Sequence, residues 1–325
     1  MRKPSALLLL GALSMFFAEV FSGASTLWFI SVWGLLVTFP LYLGHTLFLF
    51  NLAIRIGRTS LRQLYFFGML FGLYEALITK VLWYGYPDST GAMVGYFLGV
   101  AWGEFLTLVL FWHPVMSFIL PILMYELLSR DYISGHEWLI KKSRGTLLGV
   151  IVLILMGAVL QSNGSKYNVV VSVGSVAGSI LIILVLHHFS EGKTIQSLIL
   201  RRRGMILLTL YLVTLYGVTT LLLLPERLPE TIIPYVAIFS WYLVSSGLLM
   251  LDRFHGEGSR YELKFLQGSD LLKLALLLLG ATIFFSSFKI FTYPVLIVFF
   301  ISFMVIGAIL FSITVISLVK DRLRN

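Results

Sequence analysis

The sequence predicts an all-α fold, a polytopic integral membrane helical bundle of about ten transmembrane helices, and three observations carry the prediction. Of the 325 residues, 58% are apolar and only 12% are charged, where a soluble domain carries roughly 25% charge. The mean hydropathy is +0.95, more apolar surface than the interior of a soluble fold of this size can hide. The apolar residues also fall in runs of about 20, the length a helix needs to cross the hydrocarbon layer. A soluble enzyme, a disordered chain and a collagenous chain are excluded, and the lipid bilayer is the implied partner. With no cysteine in the chain, disulfides, thiolate metal sites, iron–sulfur clusters and cysteine nucleophiles are excluded as well.

Taken in order, the runs lie near 5–22, 33–54, 64–84, 91–128, 146–161, 168–188, 205–224, 231–250, 271–287 and 292–318. The first follows Arg2 and Lys3 and precedes the small residues Ser22 and Ala24, in the manner of a signal peptide. Glu19 and Phe21 beside that position favour a retained span. The stretch 24–32 is too short to cross and is expected at the interface or dipping back. The fourth run, 91–128, is too long for one simple crossing and contains Pro114 and Pro121. It is expected to cross near 91–111 and continue as a broken or re-entrant segment at 112–128, a backbone tolerated at that depth only where protein or a water-filled cavity covers it. The last six runs are ordinary spans. Residues 1–145 thus form a polar N-terminal half of four spans, and 146–325 an apolar C-terminal half of six.

Basic residues set the orientation. They cluster at Arg2/Lys3, Arg55/Arg58/Arg62, Arg130/Lys141/Lys142/Arg144, Lys193/Arg201/Arg202/Arg203, Arg253/Arg260/Lys264/Lys273 and Lys320/Arg322/Arg324. These are twenty of the 24 Lys and Arg, all in alternate connections. The other four, Lys80, Lys166, Arg227 and Lys289, fall at or near the opposite ends. Both termini are therefore expected in the cytoplasm, with the chain in the plasma membrane. Lys193–Arg203 reads as a basic stretch on anionic headgroups, and the net charge of +9 implies no nucleic acid. The connection 251–273 reads as a solvated loop. Asn163-Gly164-Ser165 matches a glycosylation acceptor in an outer connection.

A charged group inside the bilayer costs several kcal/mol or more, so each one needs a reason. The spans before residue 129 contain Glu19, His45, Asn51, Glu75, Lys80, Glu104, His113 and Glu126, whereas the runs from 146 onward contain no ionisable residue until His187 and His188 at a span end. On the third span Gly68, Gly72, Glu75 and Thr79 share one helical face. Two glycines there let a neighbouring helix approach closely, and the carboxylate then points into that contact, as a functional acid or base or as a protonated packing group. Glu104 and His113 are nine positions apart, half a turn out of phase on a straight helix, so a break near Pro114 is expected to bring them together. Lys80 is expected to snorkel at the outer end, Glu126 to be a solvated end residue, and His45 and Asn51 to make packing hydrogen bonds. Glu75, Glu104 and His113 are the candidate catalytic residues. Such an inventory suits a divalent metal, a proton relay or water activation. No haem, iron–sulfur or nucleotide motif is present, and neither is HExxH or GxSxG.

Over about residues 64–128 the chain resembles the CPBP (CAAX-protease and bacteriocin-processing) family of intramembrane glutamate proteases, on Gly72-Leu-Tyr-Glu75-Ala and on His113-Pro-Val-Met-Ser117. The resemblance implies Glu75 as a water-activating base and His113 as an oxyanion or water partner. Tyr74 stands where that family has the first of two glutamates, Thr79 where it has an arginine, and Ser117 where it has Asn or Asp; its middle histidine motif is absent. Three functions stay open at this point: a membrane-embedded hydrolase or protease acting on a membrane-embedded peptide or small molecule, a secondary transporter using the same carboxylates, and a non-catalytic scaffold.

Overall fold

The computed structural model describes residues 3–86, 95–252 and 264–324; Arg2, Arg253 and Arg260 of the basic clusters lie outside them. In chain order the main elements are α1 (Pro4–Val20) and α2 (Gly34–Arg55), α3 (Leu61–Thr79) and α4 (Val81–Tyr84). A two-stranded hairpin follows, β1 (Tyr96–Phe97) and β2 (Val100–Ala101). Then come α5 (Trp102–Ser129), α6 (Arg144–Gly164), α7 (Val169–His188), α8 (Arg202–Leu222), α9 (Ile232–Leu251) and α10 (Gly268–Ser287), and α11 (Lys289–Arg324). Ten of these helices occupy the ten apolar runs. Among the described residues eight are long and apolar enough to cross a membrane: α2, α5 to α10, and Pro294–Leu323 of α11. Of the other two, α1 is shorter, and α3 carries Arg62, Gln63 and Glu75. The chain is a polytopic helical membrane protein.

The expected break at 112–128 is not formed. Helix α5 runs without interruption from 102 to 129 and is π-helical over Phe105–Ile119. A π-helix closes i→i+5 rings, so proline is carried without ending the helix. In that winding the carbonyl opposite Pro114 is that of Val109, five positions earlier, and the neighbouring Leu110 carbonyl also accepts from the Tyr65 hydroxyl of α3 at 2.7 Å. The helix begins at 102, because 96–101 form the hairpin; residues 91–94 of the expected crossing lie outside the described residues. Its turn has positive φ at both Leu98 (52°) and Gly99 (72°), the backbone that twists two strands together. A side chain at Gly99 would collide with the Pro234 ring.

The described residues of Met1–Leu47, Leu120–Leu200 and Gly256–Phe299 form one compact unit. There α1 packs against α7 and the end of α5, and α10 against α6 and α7. Ser162 of α6 donates to the Thr282 carbonyl and accepts from Ser286 Oγ at 2.9 Å, polar packing of the kind helices use in lipid. The stretch 24–32 is anchored in this unit: Trp28 stacks on Phe39 at 5.1 Å and donates to Ser179 Oγ at 3.0 Å. Gly178 of α7 faces the Phe29 ring.

The described residues of Phe48–Ile119, Arg201–His255 and Phe300–Asn325 form the second unit. At its centre lies α3, opened by a capping box in which Ser60 and Gln63 exchange hydrogen bonds and buried at nearly every position from Gln63 to Ile78. Around it pack α5, α8 and α9. The most apolar windows of α8 and α11 are each only 11% buried within the protein, against 72% for α5, so α8 and α11 meet lipid while α5 is interior. The division at residue 145 is one of composition, and each compact unit draws segments from both sides of it.

Arg62 does more than report topology. Its Nε and Nη2 grip the Asp252 carboxylate at 2.6 and 2.7 Å, while Nη1 reaches Asp321 at 2.6 Å and Ser317 at 2.8 Å. One guanidinium thereby joins α3 to the C-terminal ends of α9 and α11, a fork a lysine cannot reproduce. Asp252 is buried, so Arg62→Gln is expected to cost about 3 kcal/mol or more by taking the guanidinium away from that carboxylate, read as a lower midpoint of thermal unfolding in detergent. Gly68→Ala is expected to cost about 1–3 kcal/mol through overpacking, since a methyl there meets the Pro114 backbone; an unchanged midpoint would contradict the close α3–α5 contact.

Candidate active site

The site grows out of that close contact. On α3 the face Gly68, Gly72, Glu75 lies against α5: a Cβ at Gly72 would come within 3.1 Å of both the His113 Cβ and the Val109 Cα. Without side chains at 68 and 72 the backbones approach, and the next residue on that face reaches α5 directly. Glu75 Oε2 lies 3.0 Å from His113 Nε2. His113 Nδ1 is 3.0 Å from Ser117 Oγ, one turn further along α5, and the imidazole stacks on Phe71 at 5.4 Å. The imidazole is thus oriented by a carboxylate, a hydroxyl and an aromatic ring. With Nε2 protonated it donates to Glu75 and accepts from Ser117; protonated at both nitrogens it donates to each, because a hydroxyl oxygen accepts as well as donates. His113 is 3% exposed and Glu75 15%, so the carboxylate is the member an approaching molecule meets and the imidazole stands behind it.

Glu104 is placed differently from the expectation. It sits in the first turn of α5, where the helix dipole favours an anion, and its Oε1 accepts from the Tyr86 N–H at 2.9 Å. Glu104 Oε2 is buried and has no hydrogen-bond partner among the described residues. No break brings Glu104 to His113; the π-helical winding changes their phase instead. A ladder of i→i+5 bonds puts more than four residues in each turn, so nine positions make about two whole turns rather than two and a half. Both residues therefore face the α3–α4 side, which is where Glu75 and Tyr86 meet them.

The other polar residues have other work. Lys80 does not snorkel: it is fully buried, adopts a left-handed backbone (φ 58°) at the end of α3, and its ammonium donates to the Thr219 carbonyl at 3.0 Å and to the Leu223 carbonyl. These are C-terminal carbonyls of α8, where a cation is favoured. Glu126 is not solvated either. It is completely buried, with His136 Nδ1 2.8 Å from Oε1 and the Ile133 N–H at 3.2 Å, and it ties the following connection to the end of α5. Glu19 accepts from the hydroxyls of Tyr42, at 2.5 Å, and Ser25, and His45 Nδ1 meets the Leu41 carbonyl at 2.8 Å. Glu19, His45 and Glu126 belong to the first compact unit, and Glu75, Glu104 and His113 to the second. Among the described residues no three Asp, Glu or His side chains converge as a metal site. Phe71 and Ser117 complete the site; the signal for both was spacing, four positions from Glu75 and from His113.

The fold defines the class, a polytopic helical membrane protein, in which the Glu75–His113 pair lies between two interior helices. The sequence model of an uncharacterised membrane protein family matches residues 8–324, and the chain belongs to that family. It is also similar to an uncharacterised protein of Archaeoglobus fulgidus, 46% identical over 121 residues, which is 37% of this chain and 37% of the relative. The matched part of the chain therefore spans little more than a third of that relative's length. No solved structure matches the chain.

Removing the imidazole is expected to cost more than neutralising the acid. Glu75→Gln keeps a hydrogen-bonding side chain beside His113 and should lose no more than about 1.5 kcal/mol. His113→Ala removes the ring stacked on Phe71 and leaves a buried cavity, for about 3 kcal/mol or more. Unfolding midpoints of the two variants compare them directly, and equal losses would remove the imidazole from its central place in the packing.

Proposed function

We propose that this protein is a membrane-embedded hydrolase, of the kind that cleaves a peptide or other carbonyl compound within the bilayer, with its site in the polar N-terminal half. The observation that carries the reading is the 3.0 Å contact between Glu75 and His113 inside a helical membrane protein. The resemblance of residues 64–128 to intramembrane glutamate proteases points the same way. In this mechanism the Glu75 carboxylate takes a proton from water as the water oxygen adds to the carbonyl carbon. The tetrahedral oxyanion then collapses, the bond to the leaving group breaks, and Glu75 returns the proton to the departing amine or alcohol. His113 orients the carboxylate, and the resemblance gives it the further role of oxyanion or water partner. Glu104, with one buried oxygen without a partner among the described residues, is the second acid of the site.

The test uses full-length protein in proteoliposomes with a set of fluorogenic transmembrane peptides. Cleavage is expected, with one atom of 18O from labelled water in the new carboxylate, and Glu75→Gln should lower kcat by about a hundredfold or more with little change in stability. Substrate-driven proton flux after a pH jump, without cleavage, would replace this reading by a transporter. Neither activity, together with destabilised Glu75, Glu104 and His113 variants, would leave a scaffold.

The same reading places the protein in the plasma membrane with both termini cytoplasmic, supported by twenty of the 24 basic residues in alternate connections. The chain contains no cysteine, which makes orientation directly measurable. Lys166→Cys is expected to react with an impermeant maleimide on intact cells, and Lys193→Cys only after permeabilisation; the reverse pattern would invert the topology.

A further inference from the structure

Arg130 after α5, Lys142 before α6 and residues 264–267 before α10 belong to one compact unit and line an open cavity of about 550 Å³, its walls formed by Arg130, Lys142, Lys264, Phe265, Leu266 and Gln267. The walls are built rather than fortuitous. The Lys142 N–H donates to the Lys264 carbonyl at 2.7 Å, so the two lysine side chains leave from adjoining backbones. Arg130 holds a left-handed backbone (φ 54°) at the end of α5. Three cations thus share the cavity, and the acid ion-paired to any of them among the described residues is Asp270, 2.7 Å from Lys142. Asp270 also accepts from the Gln267 N–H at 3.0 Å, and three cations against this one paired acid leave two positive charges in excess among the described residues. Phe265 and the buried Leu266 add an apolar wall.

We propose that this cavity binds a phosphate-bearing ligand, with the Arg130, Lys142 and Lys264 side chains on the phosphate oxygens and Gln267 as a further donor. Guanidinium and ammonium groups are the side chains that take a phosphate oxyanion. A free phosphate ion would leave most of about 550 Å³ empty. The volume falls within the roughly 300–1,000 Å³ of sites for larger molecules, and the apolar wall suits the glycerol and upper acyl part of an anionic phospholipid. The location fits that source too, since basic pockets at the ends of transmembrane helices hold anionic headgroups. The shared chemistry is the phosphate; a lipid headgroup and a soluble phosphate are its two sources. The inference is independent of the Glu75–His113 reading and uses none of its residues.

The experiment measures retention of a phosphatidylglycerol-type lipid by the full-length detergent-solubilised protein, against phosphatidylcholine, using native mass spectrometry and thermal shift. The wild type is expected to retain the anionic lipid preferentially. Arg130→Gln combined with Lys264→Gln should weaken retention roughly tenfold or more, with the unfolding midpoint of the lipid-free protein unchanged because both residues are exposed. Asp270→Asn, which removes the competing acid, should tighten it. Inorganic phosphate supplies the second arm. Protection by millimolar phosphate without lipid preference, lost in the double variant, supports the phosphate site and assigns it to a soluble source. Equal retention of both lipids with no protection by phosphate would overturn the proposal, as would anionic retention unchanged in the double variant.

Discussion

The contact between α3 and α5 is the constraint from which the rest of the second unit follows. Helices in lipid gain little from the hydrophobic effect when they associate, because lipid tails are as apolar as leucine, and close packing of small residues takes its place. Gly68 and Gly72 allow that packing, and Pro114 and His113 occupy the room they leave. Beside the proline, the Tyr65 hydroxyl of α3 donates to the Leu110 carbonyl. The same helix that makes room for the proline therefore also hydrogen-bonds to the backbone next to it. Burial of α3 on nearly all sides is what permits Glu75 in a span without exposing a carboxyl group to hydrocarbon.

The π-helical stretch has a second consequence. Widening the turn shifts the phase of every residue beyond it, so Glu104 and His113 face α3 and α4 together. A continuous helix does here what a break was expected to do. π-Helical turns occur often at functional sites because they aim side chains in directions an α-helix does not offer. In this chain the Glu75–His113 pair and the Glu104 carboxyl both lie along the re-aimed face.

Charge elsewhere in the molecule is handled by the same rule, that a buried ion needs a partner. Arg62 is held by two aspartates, Glu126 by His136, and Lys80 by the carbonyls at the end of α8. Each of these three residues lies near the end of a helix, and Arg62 and Lys80 join elements distant in sequence. Arg62, one of the charges that report topology at the level of composition, is therefore also a fastening between helices.

How much of this was legible in the sequence divides along physical lines. Composition and run length determined the helical membrane class and the runs that the ten helices occupy, though not where the fourth begins, because crossing a bilayer requires an apolar length that a single segment displays by itself. The face Gly68, Gly72, Glu75 was legible too, since a regular helical repeat converts spacing into direction. What could not be read were partners. Glu126 and Lys80 read as end residues because nothing local announces His136 or the Thr219 carbonyl. Pro114 read as a break because the helix packed against it, with Gly68 on the proline and Tyr65 on the Leu110 carbonyl, lies about 45 positions earlier in the chain. Spans are decided by each segment against the solvent, which sequence alone specifies; pairing and phase are decided by one segment against another, and only the tertiary structure brings those together.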